Sequence, residues 1–111
     1  MHDDPARDSK SDALRSAEIT VGARSAPARA YFRAMGYDDE DFDAPLVGIA
    51  NPAADVTPCN VHLTDLADAA FEAIDGSGGM PVRFGTITVS DGISMGTEGM
   101  KASLISREHI A

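Results

Sequence analysis

The sequence predicts an α/β fold that contains a βαβ unit with a parallel sheet. Residues 46–50 form a short apolar run between Pro45 and Asn51, which is typical of a buried strand. Residues 61–74 repeat apolar side chains at helical spacing, and residues 82–89 are rich in β-branched side chains. Strand, helix and strand joined by short connections imply parallel strands and a right-handed crossover.

Length and composition fit one small domain with a modest core. The chain has 111 residues, of which 43% are hydrophobic and 5% aromatic, and it contains no Trp. An apolar content dominated by aliphatic side chains suits helices packed on a sheet. Residues 1–16 mix charged and polar side chains with little periodicity. We therefore expect a flexible acidic arm in residues 1–16, followed by the α/β domain in residues 17–111.

One helix and one loop are expected before the first strand. Residues 25–35 are predicted to be helical, because Ser25 suits the N-cap and Pro27 suits the first turn. Gly36 is a reasonable C-terminal stop for this helix. The acidic run at residues 38–41 is predicted to be a solvated loop.

The βαβ unit follows in residues 46–89. Its first strand, residues 46–50, should be buried on both faces, because the run has no polar side. A loop at residues 51–58 leads to the helix at residues 61–74, whose apolar stripe consists of Leu63, Leu66, Ala67, Ala70, Phe71 and Ile74. The glycine-rich run at residues 76–79, Gly-Ser-Gly-Gly, ends this helix before the second strand, residues 82–89, begins.

The end of the sequence predicts a loop and a further helix. Residues 91–99 form a glycine-punctuated loop, and a helical pattern begins near Met100. This pattern is still present at Ile110 and Ala111, without a Gly, Asn or Pro stop signal. We therefore expect the sequence to be the N-terminal part of a larger protein.

Charge and hydropathy exclude several classes of partner. The net charge is -9, with 13 Asp, 5 Glu, 7 Arg and 2 Lys, so a nucleic-acid partner is not expected. The acidity serves either solubility or adaptation to a high-salt cytoplasm, and the sequence leaves both open. No apolar run is long enough to span a membrane, and the N-terminus lacks the features of a signal peptide. We expect a cytoplasmic protein.

Two segments with metal-binding side chains follow the two predicted strands. Cys59, the single cysteine, lies after the first strand, and Asp91 lies after the second. Ligands bind at the carboxyl ends of parallel strands, so both side chains should share one sheet edge. Cys59 is also expected at the start of a helix, where the dipole favours a thiolate. A soft thiolate beside a hard carboxylate suits two different metal centres. The alternative is a buried cysteine and an aspartate that caps the next loop.

Three motifs resemble those of the dihydroxy-acid dehydratase family, in the family's order and at compatible spacing. They are Thr57-Pro58-Cys59-Asn60-Val61-His62-Leu63, Ser90-Asp91-Gly92-Ile93-Ser94-Met95-Gly96-Thr97-Glu98-Gly99-Met100 and Ser103-Leu104-Ile105-Ser106-Arg107-Glu108. Weaker similarity extends back to about Arg24, so the resemblance covers most of the chain.

The resemblance implies cofactors and a reaction. It assigns Cys59 to an iron–sulfur cluster, with the two-iron type preferred to the four-iron type, and Asp91 to Mg²⁺. The implied enzyme is a hydro-lyase that removes water from 2,3-dihydroxy-3-methyl carboxylic acids, giving 2-keto acids in valine and isoleucine biosynthesis. It also implies a larger two-domain dehydratase that forms a homodimer. The catalytic base and the other metal ligands of the family lie beyond residue 111, so we expect no catalytic residue here and no activity from this chain alone.

Some residues depart from the family pattern, and two other functions remain open. Thr97 stands where many members have His, and an aromatic residue common after the first strand is absent from residues 51–55. A sugar-acid or 6-phosphogluconate dehydratase of the same superfamily is one alternative, and a non-catalytic α/β remnant is the other. For His62, a helix-terminal role is favoured over metal binding.

Overall fold

The computed structural model describes residues 14–111 as an alternation of helices with two strands. The strands are β1, Leu46–Asn51, and β2, Met80–Gly85. The helices are α1 Ala17–Thr20, α2 Ala26–Ala34, α3 Asp39–Phe42, α4 Leu63–Gly76, α5 Asp91–Ser94 and α6 Ser103–Ile110, with 3₁₀ turns at Ala23–Ser25 and Glu98–Ala102. Most of the expected flexible arm, residues 1–13, lies outside the described residues.

The two strands form a parallel sheet, as predicted. β1 and β2 are hydrogen-bonded neighbours. At one end the Met80 amide donates to the Pro45 carbonyl at 2.8 Å, and at the other the Thr86 amide donates to the Asn51 carbonyl at 3.2 Å. Residue numbers increase together along both strands, which defines parallel pairing. Helix α4 connects the strands, so the predicted βαβ unit is confirmed.

The described chain divides into two compact units. The first unit comprises the described residues up to Val47 together with Glu72–Val82, and the second comprises Gly48–Phe71 and Arg83–Ala111. Among the described residues, the first unit buries Phe42 and Met80, and the second buries Ala67.

Aromatic packing organises the first unit. Phe42 is 1% exposed, and its ring lies 6.3 Å from that of Phe32. The Phe32 ring also meets Tyr37 edge-on at 5.8 Å, and the Tyr37 hydroxyl donates to the Pro81 carbonyl at 2.6 Å. This bond of the half-buried Tyr37 fixes α2 and its C-terminal turn against the start of β2.

The start of α2 differs in its capping from the prediction. Ser25 occupies the N-cap position, but its side chain makes no capping bond. Its hydroxyl instead donates to the Glu18 carbonyl at 3.0 Å. Arg29 stabilises the preceding turn by donating to the carbonyls of Thr20 and Gly22 at 3.1 and 2.7 Å.

The acidic run is helical, so the prediction of a solvated loop was wrong. Asp38 accepts hydrogen bonds from the amides of Glu40 and Asp41, and the Asp41 carboxylate accepts one from the Asp38 amide. This is a capping box, and it initiates α3. Three acidic side chains in the first turn also suit the positive end of the helix dipole.

The strands differ from the sequence prediction in burial and in length. Residues of β1 are exposed or half-buried, with Val47 38% exposed, because the sheet of the described residues has only two strands. The expectation of a strand buried on both faces was therefore wrong. β2 ends at Gly85 rather than at residue 89, because the Ala53 amide, the next donor of the parallel ladder after Asn51, bonds to the Asn51 side-chain oxygen at 3.1 Å instead of to β2.

The second unit contains the site-bearing loops and a small packing cluster. Ala67 on α4 is 5% exposed. The Arg83 guanidinium lies 4.7 Å from the centre of the Phe71 ring and pairs with Asp68. The residues predicted as one loop, 91–99, contain α5 and the start of a 3₁₀ turn, and α6 begins at Ser103. Among residues 14–111, no helix has the length and hydropathy that a membrane crossing requires.

Candidate metal site at the carboxyl edge of the sheet

The Cys59 loop is a series of tight turns between β1 and α4. Thr57 is 3% exposed, and its hydroxyl oxygen accepts from the Cys59 amide at 3.4 Å. Its carbonyl accepts from the Asn60 amide at 3.1 Å. Cys59 itself is an exposed free thiol. The alternative of a buried cysteine therefore does not describe this chain. Cys59 also lies in the turn before α4, which begins at Leu63, so the helix dipole acts on it less than expected.

The Pro52 carbonyl joins the Cys59 loop to the segment that leads to Asp91. It accepts a hydrogen bond from the Asn60 side-chain amide at 2.7 Å and one from the Thr88 hydroxyl at 2.6 Å. Asn60 directly follows Cys59, and Thr88 lies just before the Ser90-Asp91 turn. These two bonds bring the loop after β1 and the loop after β2 to the same edge of the sheet.

Ser90, rather than Asp91, caps the element after β2. The Ser90 hydroxyl oxygen accepts from the Ile93 amide at 3.3 Å, and the Ser90 carbonyl accepts from the Ser94 hydroxyl at 2.8 Å. The Thr97 hydroxyl then donates to the Ser94 carbonyl at 2.6 Å. Asp91 is the first residue of α5, and its side chain is exposed and not used as the cap. Its carboxylate is therefore available to bind a cation.

A cavity of about 380 Å³ lies beside Asp91 in the second unit. Its polar wall includes Asn60, Asp91 and Arg107, and its apolar wall includes Ile87, Val89 and Leu104. A carboxylate, a guanidinium and a branched apolar wall suit a small molecule that has both anionic and alkyl parts. Asn60 and Asp91 share this cavity, so the two motifs meet in one place.

The donor types fit two metal centres, but only in part. Cys59 provides a soft thiolate and Asp91 a hard oxygen, the donors that iron–sulfur clusters and Mg²⁺ respectively prefer. Within residues 14–111, no three His, Cys, Asp or Glu side chains converge on one point. His62 is exposed and belongs to no such group. An iron–sulfur cluster or a Mg²⁺ ion bound here would therefore need further ligands, in addition to those that converge in the described residues.

The sequence did not single out three polar side chains that line the cavity. Asn60 belongs to a recognised motif, but its bond to Pro52 depends on the fold of the loop. The sequence pattern indicates only a strand at Thr88 and only a helix at Arg107. The one available signal was the Ser-Arg-Glu motif around Arg107, because a charged side chain does not belong to the apolar face of a helix.

Comparisons with known proteins match the whole of this region. The family model described as dihydroxy-acid/6-phosphogluconate dehydratase N-terminal matches residues 44–111. The matched residues include β1, the Cys59 loop, the cavity and α6.

Curated relatives match nearly the full chain. A protein of Natronomonas pharaonis named dihydroxy-acid dehydratase is 67% identical over 109 residues, which are 98% of this chain and 18% of that protein. One of Haloarcula marismortui with the same name is 69% identical over 105 residues, 95% of this chain and 18% of that protein. One of Prochlorococcus marinus, also so named, is 60% identical over 98 residues, 88% of this chain and 18% of that protein. The chain thus spans under a fifth of the length of these relatives.

Proposed function

The chain belongs to the dihydroxy-acid/6-phosphogluconate dehydratase family, and from this premise we propose that the full-length protein is a dihydroxy-acid dehydratase. Three relatives that bear this name are 60%, 67% and 69% identical to the chain, and this identity is the observation that supports the proposal most strongly. The substrates are 2,3-dihydroxy-3-methyl carboxylic acids, the precursors of valine and isoleucine. The products are the corresponding 2-keto acids.

The cavity beside Asp91 suits this substrate class. Its apolar wall, which includes Ile87, Val89 and Leu104, matches a branched alkyl group. Arg107 and Asp91 provide charge on the polar wall, where a carboxylate and hydroxyl groups would lie. A phosphorylated sugar acid has no branched alkyl group to place against that wall.

We assign one ligand of each metal centre to this chain. Cys59 would hold an iron–sulfur cluster through its thiolate, the two-iron type being preferred to the four-iron type, and Asp91 would hold Mg²⁺ through its carboxylate. When bound, the two centres supply Lewis acidity toward the substrate's oxygen atoms. Exposure of both side chains supports the assignment, since buried groups already paired within the chain would not be free to bind.

The overall reaction is the loss of one water molecule. The proton at C2 and the hydroxyl at C3 leave as water, and the enol that forms becomes the 2-keto acid as its 2-hydroxyl loses a proton and C3 takes one up. Within this chain Arg107 would orient the substrate through its guanidinium on the polar wall of the cavity. The catalytic base is not assigned to this chain.

The 111-residue chain alone should be inactive. It contains one cysteine, whereas iron–sulfur clusters normally need several cysteine ligands. We also propose a cytoplasmic location, because an exposed thiol that must stay reduced suits a reducing compartment. Homodimer assembly is proposed from the family resemblance and is tested by light scattering of the full-length protein.

A substrate panel tests the proposal. The full-length protein, reconstituted anaerobically with iron, sulfide and Mg²⁺, is offered 2,3-dihydroxy-3-methylbutanoate, 6-phosphogluconate and an unphosphorylated sugar acid, and keto-acid formation is measured. We expect turnover of the branched dihydroxy acid to be much faster than that of the other two. Preference for 6-phosphogluconate or the sugar acid would assign the protein to the other branch of the family, and no turnover of any of them would favour a non-catalytic role.

A further inference from the structure

One backbone carbonyl holds both metal-ligand segments of the second unit. The Pro52 carbonyl accepts from Asn60 Nδ2 at 2.7 Å and from Thr88 Oγ1 at 2.6 Å. Asn60 is the neighbour of Cys59 in sequence, and Thr88 lies three residues before Asp91. Both donor side chains are half-buried, whereas Cys59 and Asp91 are exposed.

The Pro52 carbonyl is free to act in this way because a parallel ladder uses alternate residues of a strand, and here it uses the carbonyls of Pro45 and Asn51. The last ladder bond runs from the Thr86 amide to the Asn51 carbonyl. β2 ends at Gly85, and beyond it the Thr88 hydroxyl attaches the chain to Pro52 by a side-chain bond. This bond keeps the segment before Asp91 attached to the first loop after the ladder has ended.

Asn60 closes the Cys59 loop at the same point. Besides its side-chain bond to Pro52, its carbonyl accepts from the Ala54 amide at 3.5 Å, and its amide donates to the Thr57 carbonyl at 3.1 Å. The loop that contains Cys59 is therefore tied at its base by one residue. Movement of the Pro52 carbonyl would be transmitted to both loops.

We propose that Asn60 and Thr88 are positioning residues that fix the spacing between the cluster ligand Cys59 and the Mg²⁺ ligand Asp91 through the Pro52 carbonyl. The inference rests on the proposed function, since it concerns the two metal centres of that function. Groups behind metal ligands commonly set the ligands' orientation and the metal's affinity. Here the side-chain hydrogen bonds of Asn60 and Thr88 end on the same acceptor, the Pro52 carbonyl. The two metal centres are therefore mechanically coupled.

Removal of the Thr88 hydroxyl is the sharpest test, because Thr88→Val keeps the shape of the side chain. In the full-length protein with its cluster, Mn²⁺ replaces Mg²⁺ as the probe, and its binding is followed by the electron paramagnetic resonance signal of free Mn²⁺. We expect Thr88→Val to weaken Mn²⁺ binding roughly tenfold, the lower end for groups that hold metal ligands in place. Thr88→Ser retains the hydroxyl and should restore binding to near the wild-type level.

A control and a second variant complete the experiment. Thr64→Val makes the same exchange at an exposed position of α4 and should bind Mn²⁺ like the wild type. Asn60→Asp replaces the donor by an acceptor that repels the Pro52 carbonyl, and it should change the visible circular dichroism of the cluster. Far-ultraviolet circular dichroism checks that each variant is folded.

The outcomes separate the two proposals. Wild-type Mn²⁺ affinity in Thr88→Val, or equal weakening in Thr88→Val and Thr88→Ser, would overturn the positioning role while the dehydratase assignment stands. An unchanged cluster spectrum in Asn60→Asp would overturn the role of Asn60. A wild-type protein that forms no cluster and dehydrates nothing would overturn the proposed function, and the positioning role with it.

Discussion

At the scale of single residues, sequence position indicates where Cys59 and Asp91 lie but not how they are held. Both follow strands of a βαβ unit, so their shared edge could be predicted from connectivity alone. The hydrogen bonds that support them could not be predicted, because Asn60 and Thr88 donate to the Pro52 carbonyl, which is remote in sequence from Thr88. The sequence also does not predict that Ser90 caps the helix in place of Asp91, since both residue types cap helices well.

The assignment of Asp91 predicts a specific defect in Mg²⁺ use. In the full-length protein, Asp91→Asn should raise the half-saturating Mg²⁺ concentration by at least about tenfold, because a neutral amide is a weaker ligand than a carboxylate. The matched control is Asp65→Asn, which removes the same charge from an exposed position on α4. Titration of activity with Mg²⁺ gives the measurement. An Asp91→Asn protein with the wild-type Mg²⁺ requirement would remove Asp91 from the site.

At the scale of elements, periodicity identified the strands and the long helix, while local hydrogen bonding determined their ends. The apolar stripe of α4 is a robust signal because it repeats over several turns. The second strand was predicted too long because β-branched side chains favour strands wherever a partner exists, and after Asn51 the Ala53 amide bonds to the Asn51 side chain and no longer offers that partner. The capping box at Asp38 was missed, although the Asp38 and Asp41 spacing was visible in the sequence.

Two glycines near the end of α4 should respond in opposite ways to alanine. A Cβ at Gly79 would lie 2.8 Å from Ile74 Cγ2, so Gly79→Ala forces Ile74 to move and should cost about 1–3 kcal/mol. A Cβ at Gly76 meets nothing within 4 Å, and Gly76→Ala should stabilise the helix by up to about 1 kcal/mol. Urea unfolding followed by circular dichroism measures both. A Gly79→Ala protein as stable as the wild type would show that this close approach does not constrain the turn.

At the scale of the whole molecule, the dominant feature is a high density of exposed carboxylates. The net charge is -9, and every Asp and Glu of residues 14–111 is exposed or half-buried. Composition alone predicts this arrangement, because ionised groups are rarely buried without partners. The ion pairs of the described residues, such as Arg83 with Asp68 and Lys101 with Glu98, join exposed side chains and contribute little to stability.

Salt should therefore stabilise the fold. Repulsion among the carboxylates opposes the compact state, and screening weakens this repulsion as the Debye length falls from about 10 Å at 0.1 M to about 3 Å at 1 M salt. We expect the melting temperature to rise with KCl over this range. Chloride is used because sulfate would strengthen apolar burial by itself. A melting temperature that falls or stays constant would show that charge repulsion is not a significant term in this fold.

The assignment of Cys59 as a cluster ligand in a dihydroxy-acid dehydratase is the central claim, and one measurement tests it most directly. Turnover of 2,3-dihydroxy-3-methylbutanoate and the visible absorption of the cluster are recorded for the full-length protein and for Cys59→Ser. The wild type should show both, and the variant should lose both, because a serine oxygen is a poor substitute for a thiolate on iron. Unchanged turnover in Cys59→Ser would contradict the assignment.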